Sequence, residues 1–222
     1  MKKKYKKEKE FIPALGFNFL TGLYDYTIKL TMPEKKFRNL LIERIDPQPN
    51  EKILEFGYGT GTNLVLATQK SPQSHFHGLD IDPKVKEIAN SKLKGKDIQM
   101  DLQLYGGSAF PYEDHTFDKV YSCLVFHQLN EQAKLESLKE IHRVLKPDGR
   151  LIVGDWGKAK NRWMRISFYI VQLLDGFKTT TPNVKGLLPE YIRKAGFTDV
   201  KETGFINTRI GSFCYYVGTK KK

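Results

Sequence analysis

Three glycines at alternate positions separate two apolar runs, and this spacing constrains the fold more than any other feature. Residues 53–56 read Ile-Leu-Glu-Phe, Gly57, Gly59 and Gly61 follow, and the run Asn-Leu-Val-Leu-Ala starts at Asn63. This order predicts a strand, a tight turn and a helix. Glycine suits the turn because it reaches positive φ at little cost and lets the backbone come close to a ligand. The sequence therefore predicts an α/β fold with a ligand at this turn.

Two known families place glycines between a strand and a helix, and the spacing separates them. The dinucleotide fingerprint Gly-x-Gly-x-x-Gly, counted from Gly57, requires a glycine where Thr62 stands. The pattern acid-x-Gly-x-Gly-x-Gly instead resembles the first motif of the class I S-adenosylmethionine-dependent methyltransferases. The resemblance implies S-adenosylmethionine as cofactor and S-adenosylhomocysteine as product. It also places the cofactor on this motif, against Glu55, Gly57, Tyr58, Gly59, Gly61 and Asn63.

A second acid follows the turn at the distance that the ribose of such a cofactor requires. The run His75–Asp80 predicts the second strand, and Asp80 ends it nineteen residues after the last glycine of the turn. A carboxylate at the carboxyl end of this strand can accept hydrogen bonds from both ribose hydroxyls. Asp80 could instead cap the next helix, but Asp82 followed by Pro83 suits the N-cap better. We therefore expect Asp80, with Ile81 beside it, to bind the cofactor.

The segment 106–118 resembles the family's stretch Asp-Ala-x-x-Leu-Pro-Phe-x-Asp-x-x-Phe-Asp, whose start lies against the adenine. When the two are aligned on their proline and their final Phe-Asp, the usual acid falls on Gly106. This is a departure, because glycine has no carboxylate to accept from the adenine amino group. A backbone carbonyl, the Ser108 hydroxyl or water would have to accept instead. The resemblance still implies that the adenine edge lies on Gly107, Ser108 and Ala109.

The residues after strand four, which is predicted over 119–123, supply the candidates for chemistry. The stretch Leu124-Val-Phe-His-Gln-Leu129 looks like the family's Leu-x-x-His-His-Leu. Residues just beyond the carboxyl ends of parallel strands face the crevice where ligands bind. The resemblance places Leu124 against the methionine portion of the cofactor. His127 is the first candidate for a general base, because histidine titrates near neutrality, and Asp155 is the second. A structural role for His127 stays open, since a single histidine in a loop more often has one.

Together the motifs predict a single domain with a Rossmann-like, seven-stranded, mostly parallel sheet, helices on both faces and an antiparallel C-terminal strand pair. The stretch Arg143-Val-Leu-Lys-Pro-Asp-Gly is nearly the family's Arg-Val-Leu-Lys-Pro-Gly-Gly, which joins a helix to strand five. Periodicity and turn residues predict the remaining elements. These are helices over 33–45, 131–145 and 187–195, and strands over 98–104, 197–203 and 212–218.

Two segments are predicted to form a helical and aromatic cap over the substrate. Residues 11–46 form an N-terminal lid segment, for which packing against the flank of the domain is an equal alternative. A methyltransferase domain spans 47–222 with a cap insertion at 158–183, and so long a connection is usually functional. Arg162 and Arg165 in this insertion would suit docking at a lipid surface, but a buried packing helix is the commoner explanation. Substrate contacts are expected from Tyr24, Tyr26, His127, Trp156 and Trp163.

The formal charge of +12 suggests nucleic-acid binding, but the charge is unevenly placed. The first ten residues contain six lysines and two glutamates and the last three are lysines, so the tails account for +7 and the body for +5. A terminal charge run is usually a solvated end, and residues 1–10 are predicted to be a disordered basic tail. The Asn/Asp-Pro-Pro-Tyr motif of enzymes that methylate nucleic-acid amino groups is absent from the sequence. A nucleic-acid partner is therefore less expected than a small molecule, but it is not excluded.

Cysteine usage and the branch of the family complete the predictions. Cys123 and Cys214 form no disulfide framework and have no metal-ligand spacing, which favours a reducing, cytoplasmic compartment and no metal. The motifs look most like the branch that methylates quinones, sterols and phospholipid head groups, so we expect a small apolar or amphiphilic acceptor. Two alternatives stay open: an RNA or protein methyltransferase recruited by the basic tails, and a non-catalytic cofactor-binding scaffold. The acceptor atom, the oligomeric state and contact with a membrane surface also stay open.

Overall fold

The computed structural model describes residues 30–107 and 109–221. The predicted basic tail, the aromatic part of the N-terminal lid with Tyr24 and Tyr26, and Ser108 lie outside these residues. In chain order the elements are α1 (Glu34–Ile45), β1 (Lys52–Phe56), α2 (Thr62–Lys70), β2 (His75–Asp80), α3 (Pro83–Lys94), β3 (Asp101–Leu104), β4 (Phe117–Cys123), a 3₁₀ turn (Phe126–Gln128), α4 (Glu131–Val144), β5 (Leu145–Trp156), α5 (Arg162–Ser167), α6 (Tyr169–Asp175), α7 (Phe177–Val184), α8 (Leu188–Lys194), β6 (Thr198–Asn207) and β7 (Ser212–Thr219).

The seven strands form one sheet in the order β3-β2-β1-β4-β5-β7-β6. Strands β1 to β5 run parallel, whereas β7 pairs antiparallel with both β5 and β6. The direction in which successive strands are added reverses between β1 and β4. In a parallel sheet of this kind, a crevice opens outside the carboxyl ends of the strands at that reversal. The predicted fold class is confirmed.

Side chains that alternate along the strands supply two hydrophobic cores, one on each face of the sheet. Ile53 of β1 and Ile152 of β5 lie in one core, and their neighbours Leu54 and Leu151 lie in the other. The first core packs against α1, α2 and α3, and the second packs against α4 and α8. All four side chains are fully buried, and each such burial is worth roughly 1.5–3 kcal/mol. Burial on both faces explains why these strands read as continuous apolar runs.

The third strand is shorter than predicted. β3 begins at Asp101, whereas the apolar pattern predicted a strand over 98–104. Ile98 does pack against the first core, but its backbone amide donates to the carbonyl of Leu93 (3.1 Å) at the end of α3. An amide that closes a helix cannot also pair in a sheet, so the ladder with β2 starts only at Asp101. At the other edge of the sheet, β6 extends to Asn207, beyond the predicted end at 203.

The cap insertion forms three short helices, α5, α6 and α7. Phe168 and Val171 reach from it into the first core. The expectation of a buried packing helix is otherwise wrong, because only one side of these helices rests on the domain. The large apolar residues on the other side are exposed, namely Trp163, Ile166, Tyr169, Ile170, Leu173, Leu174 and Phe177. Within the described parts of the chain, no helix has the length and apolar character needed to cross a membrane.

Candidate active site

The glycine turn lies at the carboxyl end of β1, beside the reversal point of the sheet. Gly57, Gly59 and Gly61 all have positive φ (72°, 51° and 76°), as the sequence led us to expect. The amide of Gly57 donates to the carbonyl of Leu79 (2.7 Å), which ties the turn to β2. A Cβ on Gly57 would lie 2.3 Å from Cγ2 of Val125, whereas a Cβ on Gly59 would meet no described atom within 4 Å. Within the described residues, the middle glycine therefore faces open space.

A buried polar network lies directly beneath the turn. The Glu55 carboxyl group, which has no exposed surface, accepts from Asn63 Nδ2 (2.8 Å) and from the Tyr121 hydroxyl (3.1 Å). Burial raises the pKa of Glu55 to about 8, although these hydrogen bonds and the nearby Arg38 oppose the rise. Arg38 of α1, a residue that sequence reasoning missed, donates to Asn63 Oδ1 (2.6 Å). Glu55 and Asn63 thus support the turn from below, and Arg38 brings a buried positive charge to its side.

The Asp80 carboxylate points at the glycine turn. Its Oδ2 accepts from the amide of Gly59 (2.8 Å), and its Oδ1 accepts from the amides of Ile81 (2.7 Å) and Asp82 (3.1 Å). Burial raises the pKa of Asp80, and the three backbone donors partly oppose that rise. Asp82 itself caps α3 by accepting from the amide of Lys84 (2.8 Å), which confirms the predicted N-cap. Cofactor binding by Asp80 stays a prediction. A carboxylate offers about four acceptor positions, which leaves room on Oδ2 for a further donor.

The residues predicted around the adenine and the methionine portion lie near the same edge of the sheet. A Cβ on Gly107 would lie 3.4 Å from Cδ1 of Ile81, so the two predicted positions are in contact across the ends of β2 and β3. Ala109 and Gly106 are exposed. Leu124 is buried, has a positive φ of 58° and donates its amide to the carbonyl of Gly154 (2.9 Å). Such a dihedral in a residue other than glycine costs on the order of 1–2 kcal/mol and is common beside functional sites.

His127 and Asp155, the two candidate bases, are hydrogen-bonded partners. His127 lies in the 3₁₀ turn after β4 and Asp155 near the end of the adjacent β5, and the two side chains are almost fully buried. Nδ1 of His127 donates to Oδ1 of Asp155 (2.7 Å), and the His127 amide donates to Oδ2 (3.3 Å). Asp155 also accepts from the Trp156 amide (2.7 Å). The carboxylate is therefore committed to holding the imidazole, whose Nε2 is left for another partner.

That other partner comes from the cap. Oδ2 of Asp175, the last residue of α6, lies 3.5 Å from Nε2 of His127. Burial alone lowers the pKa of His127, but the carboxylates of Asp155 and Asp175 outweigh it and raise that pKa to about 9. In this arrangement the imidazole carries a proton on both nitrogens near neutral pH. Sequence reasoning missed Asp175, although it is the only acid between residues 157 and 186.

Trp156 and Trp163, both predicted to contact the substrate, lie in different surroundings. Trp156 is buried, and its ring packs edge-on against Phe168 of the cap and Phe213 of β7, 5.5 and 6.2 Å away between ring centroids. It also lies 6.5 Å from the His127 ring. Trp163, in contrast, is 64% exposed on α5. The structure thus brings Trp156 to the His127–Asp155 pair and leaves Trp163 on the outer side of the cap.

Comparison with known proteins adds evidence independent of this geometry. Residues 53–149 match the family described as "Methyltransferase domain". A demethylmenaquinone methyltransferase of Lactobacillus johnsonii is 29% identical over 84% of this chain and 82% of its own length. An uncharacterized methyltransferase of Oceanobacillus iheyensis is 30% identical over 66% of this chain and 67% of its own. Phosphoethanolamine N-methyltransferase 2 of Haemonchus contortus, solved with S-adenosyl-L-methionine, has the same fold, with a TM-score of 0.68 and 15% identity over 84% of this chain and 53% of that one.

The chain belongs to the class I S-adenosylmethionine-dependent methyltransferases. The predictions of a methyltransferase and of its cofactor are confirmed. The residues of this methyltransferase also fit the cofactor on structural grounds. Among the described residues, open space lies beside Gly59, and Asp80 retains acceptor capacity beside it. The buried Arg38, which pairs with Glu34 (2.9 Å), donates to Asn63 next to the turn. We expect the ribose at Asp80 and the amino acid end at the turn.

Lys134 is a further residue of the methyltransferase that sequence reasoning missed. It occupies the apolar side of α4, one turn before Leu138, and is buried. Its ammonium donates to the carbonyls of Leu129 and of Thr179 (2.7 Å), which ties α4 to α7 of the cap. Burial lowers the pKa of Lys134 to about 8, with Asp155 opposing the shift. The sequence did contain a signal for this contact, because a lysine stands on the side of α4 that is otherwise apolar.

Proposed function

We propose that this methyltransferase methylates a hydroxylated ring of the reduced demethylmenaquinone type. The observation that carries the proposal is the buried His127, held by Asp155 at the carboxyl ends of β4 and β5 beside the aromatic wall of Trp156. A histidine so placed can take a proton from a ring hydroxyl, and Trp156 offers an apolar face to the ring. Relatives that cover most of the chain are named demethylmenaquinone methyltransferases, which agrees with this chemistry.

The work of the protein in such a reaction is proton handling, orientation and exclusion of water. The cofactor, when bound, would supply an electrophilic methyl group, and S-adenosylhomocysteine would be its product. The acceptor hydroxyl gives its proton to Nε2 of His127, and the electron pair left on the oxygen makes the ring a better nucleophile for the methyl group. The hydrogen of the methylated ring carbon then moves to that oxygen as the ring regains its aromaticity. One proton is left on His127, which releases it to solvent. Asp155 holds Nδ1 protonated, so that Nε2 is the nitrogen that exchanges the proton. The buried surroundings of the pair keep water away from the ring.

Asp175 sets when His127 can act. While Asp175 contacts Nε2, the raised pKa keeps His127 protonated near neutral pH, and a protonated imidazole cannot accept another proton. An acceptor hydroxyl that takes the place of Asp175 at Nε2 removes one of the two carboxylates that raise this pKa. The pKa of His127 then falls below its value of about 9, so that Nε2 can be unprotonated and accept the proton of the hydroxyl. We propose that acceptor binding and displacement of Asp175 occur together.

An acceptor panel tests this proposal. The purified chain is incubated with isotopically labelled S-adenosylmethionine and, separately, reduced demethylmenaquinone, phosphoethanolamine, RNA or a basic peptide. The mass of each acceptor is then measured. We expect the mass of one methyl group to appear on the reduced quinone and not on its oxidised form, which lacks the ring hydroxyl. Methylation of RNA or of the peptide, with the quinone left unchanged, would contradict the proposal and favour a macromolecular substrate recruited by the basic tails.

A further inference from the structure

The outer side of the cap carries a concentrated apolar surface. Of the ten exposed large apolar residues among the described parts of the chain, seven lie between residues 163 and 177. Leu173 is 74% exposed, Trp163 64% and Ile170 55%. Spacings of three and four residues place Trp163, Ile166 and Ile170, and then Leu173 and Leu174, along one side of α5 and α6. We call this surface the cap face. Isolated exposed apolar residues are ordinary, but a contiguous group marks an interaction site.

The charges within the cap segment are nearly all positive. Residues 157–186 contain six cationic side chains and one acid. The acid is Asp175, whose side chain is only 10% exposed and contacts His127 inside the protein. Lys160 pairs with Glu202 at the sheet edge (2.5 Å). The remaining cations lie on or beside the three cap helices: Lys158, Arg162, Arg165, Lys178 and Lys185.

Four of these cations line a cavity next to the cap face. The cavity has a volume of about 480 Å³ and is lined by Lys158, Arg162, Arg165 and Lys185, with Asn161 and Thr181 among the polar residues and no acid. One terminal nitrogen of Arg165 is buried and has no hydrogen-bond partner among the described residues. A buried guanidinium nitrogen without an acceptor is costly. An anionic group in this cavity would supply that acceptor.

We propose that the cap face docks on an anionic lipid bilayer, with Trp163, Ile170 and Leu173 in the acyl boundary and lipid phosphates at the cationic cavity. An exposed apolar surface bordered by lysine and arginine is what such an interface requires. Two other occupants fit the charges less well. Residues 1–29 contain seven lysines against three acids, and a second copy would bring cations against cations. This docking does not require the proposed acceptor, although a bilayer could deliver a prenylated one.

Vesicle flotation of the full chain tests the proposal without cofactor or acceptor, so its result is independent of the proposed function. We expect the chain to float with vesicles that contain phosphatidylglycerol and to stay at the bottom with pure phosphatidylcholine. Leu173→Glu and Ile170→Glu should abolish flotation. Phe205→Glu, at an apolar residue on β6 whose exposure (48%) is close to that of Ile170 (55%), is the control and should float as the wild type does.

Charge variants measure the electrostatic part. Each cation near an anionic surface contributes about a fivefold change in partitioning, so the double variant Arg162→Gln, Lys185→Gln should bind roughly 30-fold more weakly. The control variant Lys94→Gln, Lys96→Gln removes two exposed cations from the end of α3. It should bind within about threefold of the wild type. An equal loss in both double variants would show that only net charge matters and would overturn the proposed site.

The two tryptophans provide a reporter, because Trp156 is buried and Trp163 is exposed. We expect the emission maximum to move to shorter wavelength with the anionic vesicles. In Trp163→Phe, the shift should disappear while flotation persists. The proposal is overturned if the wild type does not float. In that case, a change from dimer to monomer in Leu173→Glu would indicate a second copy on the cap face. Faster proteolysis of residues 1–29 in the same variant would indicate that this segment is the occupant. The proposal is also overturned if flotation survives both glutamate variants.

Discussion

Nε2 of His127 lies 3.5 Å from Oδ2 of Asp175, and this contact joins the 3₁₀ turn after β4 to the cap. It places the charge state of the candidate base under the control of a segment that is inserted into the fold. The other nitrogen of the ring is held by Asp155 at 2.7 Å. The two carboxylates therefore differ in their origin, since Asp155 belongs to the sheet and Asp175 to the cap.

Asp175→Asn is expected to move the pH dependence of methyl transfer to lower pH. The two carboxylates raise the pKa of His127 to about 9, so the unprotonated base becomes available in the wild type only as the pH approaches that value. Without the Asp175 charge the pKa falls, and kcat/KM, which reports the free enzyme, should reach its plateau at lower pH. The control variant Asp97→Asn changes an exposed acid after α3 and should leave the pH profile of kcat/KM unchanged. An unchanged apparent pKa in Asp175→Asn would show that this contact does not govern the base.

Asp80→Asn is expected to weaken cofactor binding at least tenfold. In asparagine, an NH₂ group replaces one of the two carboxylate oxygens and faces a backbone N–H, so two donors meet without an acceptor. The acceptor capacity for the ribose is also reduced. Asp82→Asn is the matched control, because asparagine caps a helix as well as aspartate. Its cofactor affinity should stay within about threefold of the wild type. Isothermal calorimetry with S-adenosylmethionine compares them, and equal affinity for Asp80→Asn and the wild type would remove the ribose assignment.

Gly57→Ala is expected to lose mainly stability, and Gly59→Ala is expected to lose mainly cofactor affinity. Both positions have positive φ, which costs an alanine on the order of 1–2 kcal/mol. A methyl group on Gly57 would also clash with Val125, whereas one on Gly59 meets only open space. Thermal unfolding should therefore show a clearly larger loss of Tm for Gly57→Ala. Gly59→Ala should fold and lose cofactor affinity by tenfold or more, and wild-type affinity in this variant would mean that the open space is not the cofactor site.

Glu55→Gln is expected to flatten the pH dependence of stability. The folded-state pKa of Glu55 is raised from 4.5 to about 8, so the folded protein holds a proton that the unfolded chain releases. The contribution to stability is complete below pH 4.5 and is lost as the pH rises through 8, at up to about 1.4 kcal/mol per pH unit. Glutamine keeps an acceptor for Asn63 and cannot ionise. Chemical unfolding between pH 5 and 8 should show a shallower decline for Glu55→Gln, whereas Glu87→Gln, at an exposed position, should follow the wild type.

Local sequence patterns predicted the parts of this fold that local interactions determine. Glycine spacing predicted the turn, the pair Asp82-Pro83 predicted the start of α3, and the apolar runs predicted the strands of a sheet buried on both faces. The length of β3 was not predicted, because the competition between closing α3 and extending the strand is decided at a single amide, that of Ile98.

Contacts between the core and the cap could not be predicted in the same way. His127 and Asp175 are separated by 48 residues, and their meeting depends on how three short helices pack, which no periodicity encodes. Apolar residues such as Leu173 also look the same in a sequence whether they meet the domain or remain exposed. Lys134 and Arg38 were overlooked because each lies within an apolar stripe, where a charged residue indicates a buried partner.

Methyl transfer by His127→Asn tests the central claim most directly. The rate of labelled methyl transfer to reduced demethylmenaquinone is measured for this variant and the wild type, together with the Kd for S-adenosylmethionine. If His127 takes the acceptor proton, the variant should lose roughly 10²- to 10⁴-fold in kcat/KM and keep its cofactor affinity within about threefold. A variant that transfers methyl groups at the wild-type rate, with cofactor still bound, would contradict the assignment of His127 as the base.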